Sequence, residues 1–486
     1  MTDRERRVVD AVPRQLLIGG EWRGATGGRE LPVEDPATGE VLVEVADGDP
    51  ADARAALDAA AVAQGPWAAT APRERSEILR RAYQLLVDRS DDLALLMTLE
   101  MGKPIAESAA EIAYAADFFR WFAEEAVRID GRFSMNPSGK GRIVVMQQPV
   151  GPCLLISPWN FPMAMGTRKI GPALAAGCAM VLKPAHQTPL SSLALAQLLT
   201  EAGLPAGVLN VITTSRPGPV IEPLLDDPRL RKLSFTGSTA VGKSLAAKAG
   251  GQLLRVSMEL GGNAPFLVFG DADLDAAVAG AAIAKLRNGG EACTAANRFY
   301  VHESIVADFT ERLVARFADI KMGRGTEAGV QLGPLIDARQ QGKVTELVED
   351  AMEKGARCVL GGRPGDGPGH FYPPTILVDV PAGARLLREE IFGPVAPIMS
   401  FTDDDEAVHA ANDTELGLVS YLFTSSLDRA VRVAEALETG MVGCNQGLVS
   451  NAAAPFGGVK HSGYGREGGH EGIREYLEVK YLAVGV

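Results

Sequence analysis

The stretch GPCLLISPWNFP, residues 151–162, begins a regular alternation of apolar strands and helices that decides the fold. Its apolar run ends in a turn bracketed by prolines, and helical spacing follows over residues 163–177. Strands AMVLKP, GVLNVIT and KLSFTG come next, followed by helices expected at 190–202, near 218–225 and at 239–249. Strands that alternate with helices form a parallel sheet covered on both faces, and ligands bind beyond the carboxyl ends of the strands. The sequence therefore predicts an α/β fold whose chemistry lies in the strand-to-helix loops.

The segments on either side of this alternation have different patterns. Residues 13–50 alternate short apolar runs with turn signals, which predicts an antiparallel hairpin ahead of the first helix. Residues 50–127 carry Ala and Leu at helical spacing, which predicts two or three long helices, and residues 128–149 read as a hairpin suited to assembly. A second strand and helix alternation begins at VSMELGGNAPFLVF, so we expect the domain change close to Glu259.

Bulk composition narrows the class of protein. A chain of 486 residues exceeds the size of one hydrophobic core, and 46% apolar with 22% charged residues excludes a largely disordered protein. A net charge of -13 opposes binding to nucleic acid or anionic lipid. The N-terminus lacks the apolar core of a signal peptide, and the longest apolar stretches, such as 172–182, are shorter than the roughly 20 residues that span a bilayer. We expect a soluble cytoplasmic protein with no metal site, because its five cysteines form neither a disulfide framework nor a zinc motif.

GSTAVGKS, from Gly237 to Ser244, matches the letters of a P-loop, and Asp271 in PFLVFGD could end a Walker B strand. A glycine-rich turn between a strand and a helix binds phosphate through backbone N–H groups and the helix dipole. A nucleoside triphosphate and a dinucleotide pyrophosphate would suit such a turn equally, and it could also be only a tight turn. The motif alone leaves these alternatives open.

Three polar residues stand out as candidates for catalysis. Cys293 lies in the polar, glycine-rich stretch RNGGEACTAANR, whereas Cys153 and Cys178 lie in apolar contexts where a thiol packs as a small hydrophobe. Glu259 ends a strand before a double glycine, where it could act as a general base or cap a turn. Asn160 lies between prolines, where it could donate to an oxyanion or cap a helix. Taken alone, each residue also has a purely structural interpretation.

Seven motifs occur in one order: SPWNFP, LKPAHQTP, FTGSTAVG, MELGGNAP, the glycine-rich stretch with Cys293, EEIFGPV and PFGG. From about residue 15 to its end the chain resembles the aldehyde dehydrogenase superfamily. The resemblance implies that FTGSTAVG holds a dinucleotide pyrophosphate and that Lys243 is incidental, which removes the P-loop interpretation. It also implies an aldehyde dehydrogenase-like fold, a homodimer or homotetramer, and three parts: a Rossmann-type NAD(P)-binding domain (1–127 and 150–259), an α/β catalytic domain (260–466) and a small β oligomerisation element (128–149 and 467–486).

The resemblance also assigns roles to single residues. Cys293 resembles the nucleophile, Glu259 the base for deacylation, and Asn160 the oxyanion donor together with the backbone N–H of Cys293. These roles imply oxidation of an aldehyde to an acid through a thiohemiacetal and a thioester. The implied cofactor-binding residues run from the adenine ribose to the nicotinamide: Lys183, His186, Gly237, Ser238, Gly242, Leu260, Glu390, Phe392 and Trp159.

The chain departs from the family pattern at two positions. His186 replaces a glutamate common in members that prefer NAD, and that glutamate would repel a 2′-phosphate, so we expect NADP to be accepted at least as well as NAD. Glu291 stands two residues before Cys293, where many relatives carry glutamine, and a charged carboxylate there would raise the pKa of the thiol. Ala295 occupies a position where some members have a second cysteine.

Within the superfamily, the stretches NFPMAMGTRK, GPLID and SNAAAPFGGVKHSGYGREG most resemble succinate-semialdehyde dehydrogenases. Arg168, Arg287 and Ser450 match that group's carboxylate-binding residues, which implies a small aldehyde substrate that carries a carboxylate. Either arginine could instead form a structural salt bridge. The alternatives are a dehydrogenase of broad specificity, one for another semialdehyde such as glutarate semialdehyde, and a dinucleotide-binding protein that has lost its activity.

Overall fold

The computed structural model describes residues 1–485. The chain begins with α1 (Asp3–Asp10), β1 (Leu16–Ile18), β2 (Glu21–Arg23), β3 (Glu30–Asp35), β4 (Glu40–Ala46), α2 (Pro50–Ala69), α3 (Pro72–Asp88), α4 (Ser90–Met101) and α5 (Ile105–Glu125).

Two expectations for this segment are wrong. Helix α1 precedes the hairpins, because Thr2 and Glu5 cap it reciprocally although its residues are mostly charged. Four helices follow instead of two or three, because the chain breaks at residues 70–71, at Arg89 and at Gly102, where φ is +91°.

The alternation predicted from residue 151 onward is confirmed. It follows β5 (Arg132–Met135) and β6 (Gly141–Pro149), and consists of β7 (Cys153–Ile156), α6 (Pro162–Ala176), β8 (Met180–Lys183), α7 (Pro189–Glu201), β9 (Leu209–Val211), α8 (Pro217–Ile221), β10 (Lys232–Thr236), α9 (Thr239–Gly251) and β11 (Arg255–Glu259). Strands β9, β8, β7, β10 and β11 pair in that order and run parallel. Since chain order reverses between β7 and β10, the crevice for a dinucleotide opens at the carboxyl ends of these two strands.

The rest of the chain forms a second sheet and the C-terminal elements. Its elements are β12 (Ala264–Val268), α10 (Leu274–Leu286), β13 (Ala296–His302), α11 (Val306–Ala318), α12 (Ala338–Glu353), β14 (Arg357–Leu360), β15 (Thr375–Val378), β16 (Val395–Phe401), α13 (Asp404–Asn412), β17 (Leu416–Gly417), β18 (Val419–Phe423), α14 (Leu427–Ala436), β19 (Met441–Cys444), β20 (Val459–Lys460), β21 (Gly463–Tyr464), α15 (Gly469–Arg474) and β22 (Leu477–Gly485). The second sheet has the order β14, β15, β16, β13, β12, β18, β19, while β21 returns to pair antiparallel with β11 of the first sheet.

The two sheets are joined by four residues. Strand β11 ends at Glu259 and β12 begins at Ala264, so LGGN connects the first sheet to the second. The change of sheet therefore falls where the sequence placed the domain change, while the domain limits themselves stay a prediction. A cleft between two sheets is a frequent place for a ligand site.

A third sheet contains the hairpin of residues 128–149 and the C-terminal strand. Strand β22 pairs antiparallel with β6 over its whole length, from Leu477 opposite Pro149 to Gly485 opposite Gly141, and β5 pairs with the other edge of β6. Its surface is unusually apolar, since Phe133 is 70% exposed and Tyr481 is 60% exposed. Residue 486, the last of the predicted oligomerisation element, lies outside the described residues. No helix within residues 1–485 is both long enough and apolar enough to cross a membrane.

Candidate active site

The double glycine after Glu259 brings three parts of the chain into close contact. A Cβ atom at Gly262 would lie 2.4 Å from the carbonyl oxygen of Cys293, and one at Gly261 would lie 2.9 Å from Oε2 of Glu390. The backbone N–H of Gly262 donates to Oε1 of Glu390 at 3.1 Å. Only residues without a side chain permit this approach. The loop of Cys293 and the glutamate predicted to bind the nicotinamide ribose therefore meet at the end of β11.

Asn160 is fixed against the loop of Cys293. Its Nδ2 donates to the carbonyl oxygen of Glu291 at 2.9 Å, and its own carbonyl oxygen accepts from Nδ2 of Asn288 at 3.0 Å and from Nζ of Lys103 at 2.8 Å. The residue is 4% exposed. A side-chain amide carries two N–H donors, so Asn160 keeps one N–H to offer to an oxyanion beside Cys293.

Glu259 is buried beside a charged network. Neither of its carboxylate oxygens has a hydrogen-bond partner among the described residues. Nearby, Glu467 accepts from Nζ of Lys169 at 2.6 Å and pairs with Nε of Arg168 at 2.9 Å. Burial raises the pKa of Glu259 well above its usual value, and the negative charge of Glu467 raises it further. An unpaired buried carboxyl group of high pKa has the properties of a general base for water.

The thiol of Cys293 is partly buried at the bottom of the site. Burial raises its pKa to about 12; Glu390 and Glu259 act in the same direction, while the guanidiniums of Arg168 and Arg287 lower it. These four charged groups therefore lie around the sulfur. Only the thiolate is nucleophilic, so the two arginines favour the reactive form.

The carboxyl group of Glu291 is held away from bulk solvent. Its Oε1 accepts the backbone N–H of Ile336 at 3.1 Å, and its Oε2 is buried without a hydrogen-bond partner among the described residues. Burial raises the pKa of Glu291 well above its usual value. The raised pKa favours the neutral form of the carboxyl group, which weakens the expected opposition to thiolate formation.

Arg287 faces a cavity of about 480 Å³ that opens beside Phe161. Its guanidinium lies 4.7 Å from the centre of the Phe161 ring, and among the described residues it has no ion pair. Glu107 and Glu111 also line this cavity, but their carboxylates are bound to the backbone N–H groups of Asn288 and of Met163 and Ala164, respectively. Arg287 is therefore an available cation for an anionic substrate.

Arg168 is 2% exposed and already has a partner. Besides its ion pair with Glu467, its guanidinium lies 3.9 Å from the centre of the Phe456 ring. The buried Nη2 of Arg168 nevertheless has no hydrogen-bond partner among residues 1–485. Its Nε, which faces Glu467, also makes no hydrogen bond with the described residues. The contact with Glu467 is therefore an ion pair that leaves N–H donors of the guanidinium unsatisfied, so a structural salt bridge and a substrate-binding role are compatible. Ser450 lies beside Tyr114. Burial raises the pKa of Tyr114, while the charges of Arg168 and Arg287 lower it.

The predicted cofactor-binding residues lie along the carboxyl ends of β8, β7 and β10. Lys183 ends β8, and burial lowers its pKa to about 8 with no charged partner involved. Ser238 precedes α9 without capping it through its side chain, which leaves the N–H groups of the first turn available to a phosphate. A Cβ at Gly242 would lie 2.2 Å from a methyl group of Leu260, so this glycine serves packing. A dinucleotide fits this arrangement, since it would supply the partners that the lysine and the helix lack.

The nicotinamide end of the predicted cofactor site is also assembled. The rings of Trp159 and Phe392 meet edge to face with their centres 5.3 Å apart, although they belong to opposite sides of the cleft. At the adenine end, partial burial lowers the pKa of His186, and the positive charges of Lys183 and Arg339 lower it further. The imidazole is therefore neutral near pH 7, and it offers an N–H donor and no positive charge at this position.

Sequence reasoning missed the residues that support this site. Glu467, Lys169 and Tyr114 are buried around the predicted catalytic residues, yet they stand in no motif that names a role. One signal was available: Tyr114 follows Glu107 and Glu111 at helical spacing in an otherwise alanine-rich helix, which marks a polar face turned toward the protein interior.

Comparison with known proteins agrees with this geometry. The model of the aldehyde dehydrogenase family matches residues 22–482. A succinate-semialdehyde dehydrogenase of Paenarthrobacter nicotinovorans is 58% identical over 91% of this chain and 99% of its own length. A glutarate-semialdehyde dehydrogenase of Pseudomonas aeruginosa is 52% identical over 97% of this chain and 98% of its own length. The crystal structure of an NADP-dependent enzyme of E. coli superposes with a TM-score of 0.97 at 50% identity, covering 98% of this chain and 99% of that one.

The raised pKa of Glu291 generates a prediction about stability. An unfolded glutamate loses its proton near its usual pKa of 4.5, whereas folded Glu291 keeps its proton to a higher pH. Between these two pKa values, each pH unit therefore lowers the free energy of unfolding by up to about 1.4 kcal/mol. We expect Glu291→Gln to unfold at a higher temperature than the wild type at pH 8 and at nearly the same temperature at pH 5. Thermal unfolding at both pH values measures this, with the exposed Glu353→Gln as control. An equal difference at the two pH values would show that Glu291 is charged in the folded protein.

Proposed function

Because this chain belongs to the aldehyde dehydrogenase family, we propose that it oxidises succinate semialdehyde, or a close ω-carboxy aldehyde, to the acid with NADP or NAD. The observation that carries the substrate class is Arg287, which has no ion-pair partner among the described residues and whose positive charge acts on the thiol of Cys293. A buried or half-buried guanidinium is costly unless an anion reaches it, and a substrate carboxylate would supply that anion. The names of the relatives support the same class.

In the proposed reaction the thiolate of Cys293 attacks the aldehyde carbon and forms a C–S bond. The carbonyl oxygen becomes an oxyanion, which accepts hydrogen bonds from Nδ2 of Asn160 and from the backbone N–H of Cys293. When bound, the nicotinamide ring of NADP or NAD supplies the acceptor for the hydride that leaves the tetrahedral carbon. Trp159 and Phe392, which contact each other, would line the place of that ring, and Glu390 would hold its ribose. A thioester on Cys293 is left.

Glu259 acts in the second half of the proposed reaction. Its unpaired carboxylate takes a proton from a water molecule, which attacks the thioester carbon and releases the acid and the thiol. Because its pKa is raised, the fraction of Glu259 that can accept a proton grows with pH over a higher range than for an ordinary glutamate. The ion pairs of Glu467 with Lys169 and Arg168 keep the neighbouring carboxylate charged and so maintain this effect.

Glutarate semialdehyde is the second candidate substrate, because a relative of that name is 52% identical over nearly the whole chain. It is longer by one methylene group and carries the same carboxylate. An apolar pocket discriminates one methylene by only about 1 to 3 kcal/mol, so the same site could oxidise both aldehydes at different rates.

We also propose that the third sheet mediates assembly into a homodimer or homotetramer. Strand β22 and strand β5 are its two edges, and its exposed apolar residues would be buried against another copy of the chain. Burial of such a surface is the usual reason for its presence on a folded protein.

The roles of Cys293 and Glu259 predict two different defects. Cys293→Ala should abolish hydride transfer while cofactor binding persists, whereas Glu259→Gln should give one burst of reduced cofactor and then a steady rate about 100- to 10,000-fold below the wild type. Stopped-flow absorbance of the reduced nicotinamide measures both. Cys444→Ala, at an exposed cysteine, should behave as wild type. Steady turnover by Cys293→Ala would refute the assignment of the nucleophile.

The role of Arg287 predicts strong discrimination by charge. We expect kcat/KM for succinate semialdehyde to exceed that for butanal, its uncharged analogue, by about a thousandfold or more, because butanal leaves Arg287 without an anion and the N–H donors of Arg168 unsatisfied. Arg287→Ala should lower this ratio about a hundredfold by removing a charged hydrogen-bond donor pair. Steady-state kinetics with both aldehydes, and with Arg312→Ala on the surface as control, test the proposal. Similar values for the two aldehydes in the wild type would favour a broad-specificity enzyme.

The third sheet predicts a multimer in solution. Light scattering should give at least twice the mass of one chain, and the double variant Val479→Lys with Tyr481→Lys should lower that mass, because two charges would then lie in the buried surface. Leu427→Lys, at an apolar residue that is 78% exposed on α14, serves as control. An active wild-type monomer would contradict the proposed assembly.

A further inference from the structure

Helix α5 presents one continuous stripe of residues to the site. Glu107, Glu111, Tyr114 and Phe118 are spaced by four, three and four residues, so they share a face of the helix. Glu107 binds the backbone N–H next to Arg287, and the guanidinium of Arg168 lies 5.7 Å from the centre of the Phe118 ring. Tyr114 lies between these two contacts on the same stripe. Its position therefore falls between the two arginines that are assigned to the substrate carboxylate.

The hydroxyl of Tyr114 has no visible structural task. It is buried and makes no hydrogen bond of normal geometry with the described residues, although the side chain of Ser450 lies near enough to lower its pKa. Its ring packs edge to face on Phe118 with their centres 4.8 Å apart, which fixes the direction of the hydroxyl. The charges of Arg168 and Arg287 and the side chain of Ser450 all act on it. A buried hydroxyl without a partner is costly, and phenylalanine would fill the same space without that cost.

We propose that Tyr114 is a further substrate-binding residue, whose hydroxyl donates a hydrogen bond to the carboxylate of the semialdehyde beside Arg168, Arg287 and Ser450. This inference rests on the proposed function, because it assigns a group to the same carboxylate site. A bound carboxylate would satisfy the orphaned hydroxyl and the open Nη2 of Arg168 together.

A neutral donor suits this position for an electrostatic reason. Burial raises the pKa of Tyr114, so the phenol keeps its proton and remains a donor at every pH at which the enzyme would work. A third cation between Arg168 and Arg287 would instead add repulsion in a site of low dielectric. A tyrosine adds a hydrogen bond and geometric selectivity without adding charge.

The test replaces Tyr114 by phenylalanine, which removes only the hydroxyl. We expect Tyr114→Phe to lower kcat/KM for succinate semialdehyde by about 10- to 100-fold, as for other hydrogen bonds to a charged group, and to raise the inhibition constant of succinate by a similar factor. Its kcat/KM for butanal should stay at the wild-type value or rise slightly. Retained butanal oxidation also shows that the variant is folded.

Tyr372→Phe is the matched control, because Tyr372 carries another buried hydroxyl without a hydrogen-bond partner but packs in a separate hydrophobic cluster. It should leave the ratio of the two aldehydes unchanged, whereas Arg287→Ala should lower that ratio. If the wild type and Arg287→Ala behave as proposed but Tyr114→Phe keeps the wild-type ratio, the inference about Tyr114 is overturned alone. If the wild type does not discriminate between the aldehydes, the proposed function fails and this inference fails with it.

Discussion

The approach of three chain segments at Gly261 and Gly262 is the constraint on which the site depends. The loop of Cys293 and the side chain of Glu390 lie so close to these glycines that a Cβ atom at either position would overlap them. The same residues join the two sheets. A side chain there would push the loop of Cys293 and the side chain of Glu390 away from the segment that joins the sheets. The site and the connection between the sheets are therefore one structural feature.

Burial then determines the charge states around that point. Glu467 is kept ionised by Lys169 and Arg168, and its charge together with burial raises the pKa of Glu259. Glu467, which has two cationic partners, therefore favours its ionised form. Glu259, which has no ion-pair partner, favours its protonated form. The molecule obtains a base of raised pKa without leaving a second carboxylate buried and unpaired.

The sequence predicts those parts of the site whose residues lie close together in the chain, and it does not predict contacts between distant residues. Cys293, Glu259 and Asn160 stand in short motifs at strand ends, so their types and spacing were sufficient to single them out. The partner of Arg168 could not be found in the same way, because Glu467 is almost 300 residues away and only the return of β21 to the first sheet brings it near. The charge of Glu291 depends on the direction of its side chain, which no motif specifies. Helix α1 was missed because its capping, not an apolar stripe, holds it in place.

The contrast between Arg168 and Arg287 shows how the site can recognise an anion in a protein of net charge -13. Arg168 is almost completely buried, and its ion pair with Glu467 holds it in position while neutralising much of its charge. Arg287 is less buried, lies over Phe161 and has no ion pair with the described residues. Two free buried guanidiniums would cost far more than the protein could offset, whereas one paired and one free arginine leave about one positive charge for one carboxylate. In the proposed site, the paired arginine would fix the geometry, and the free arginine would make occupation by an anion favourable.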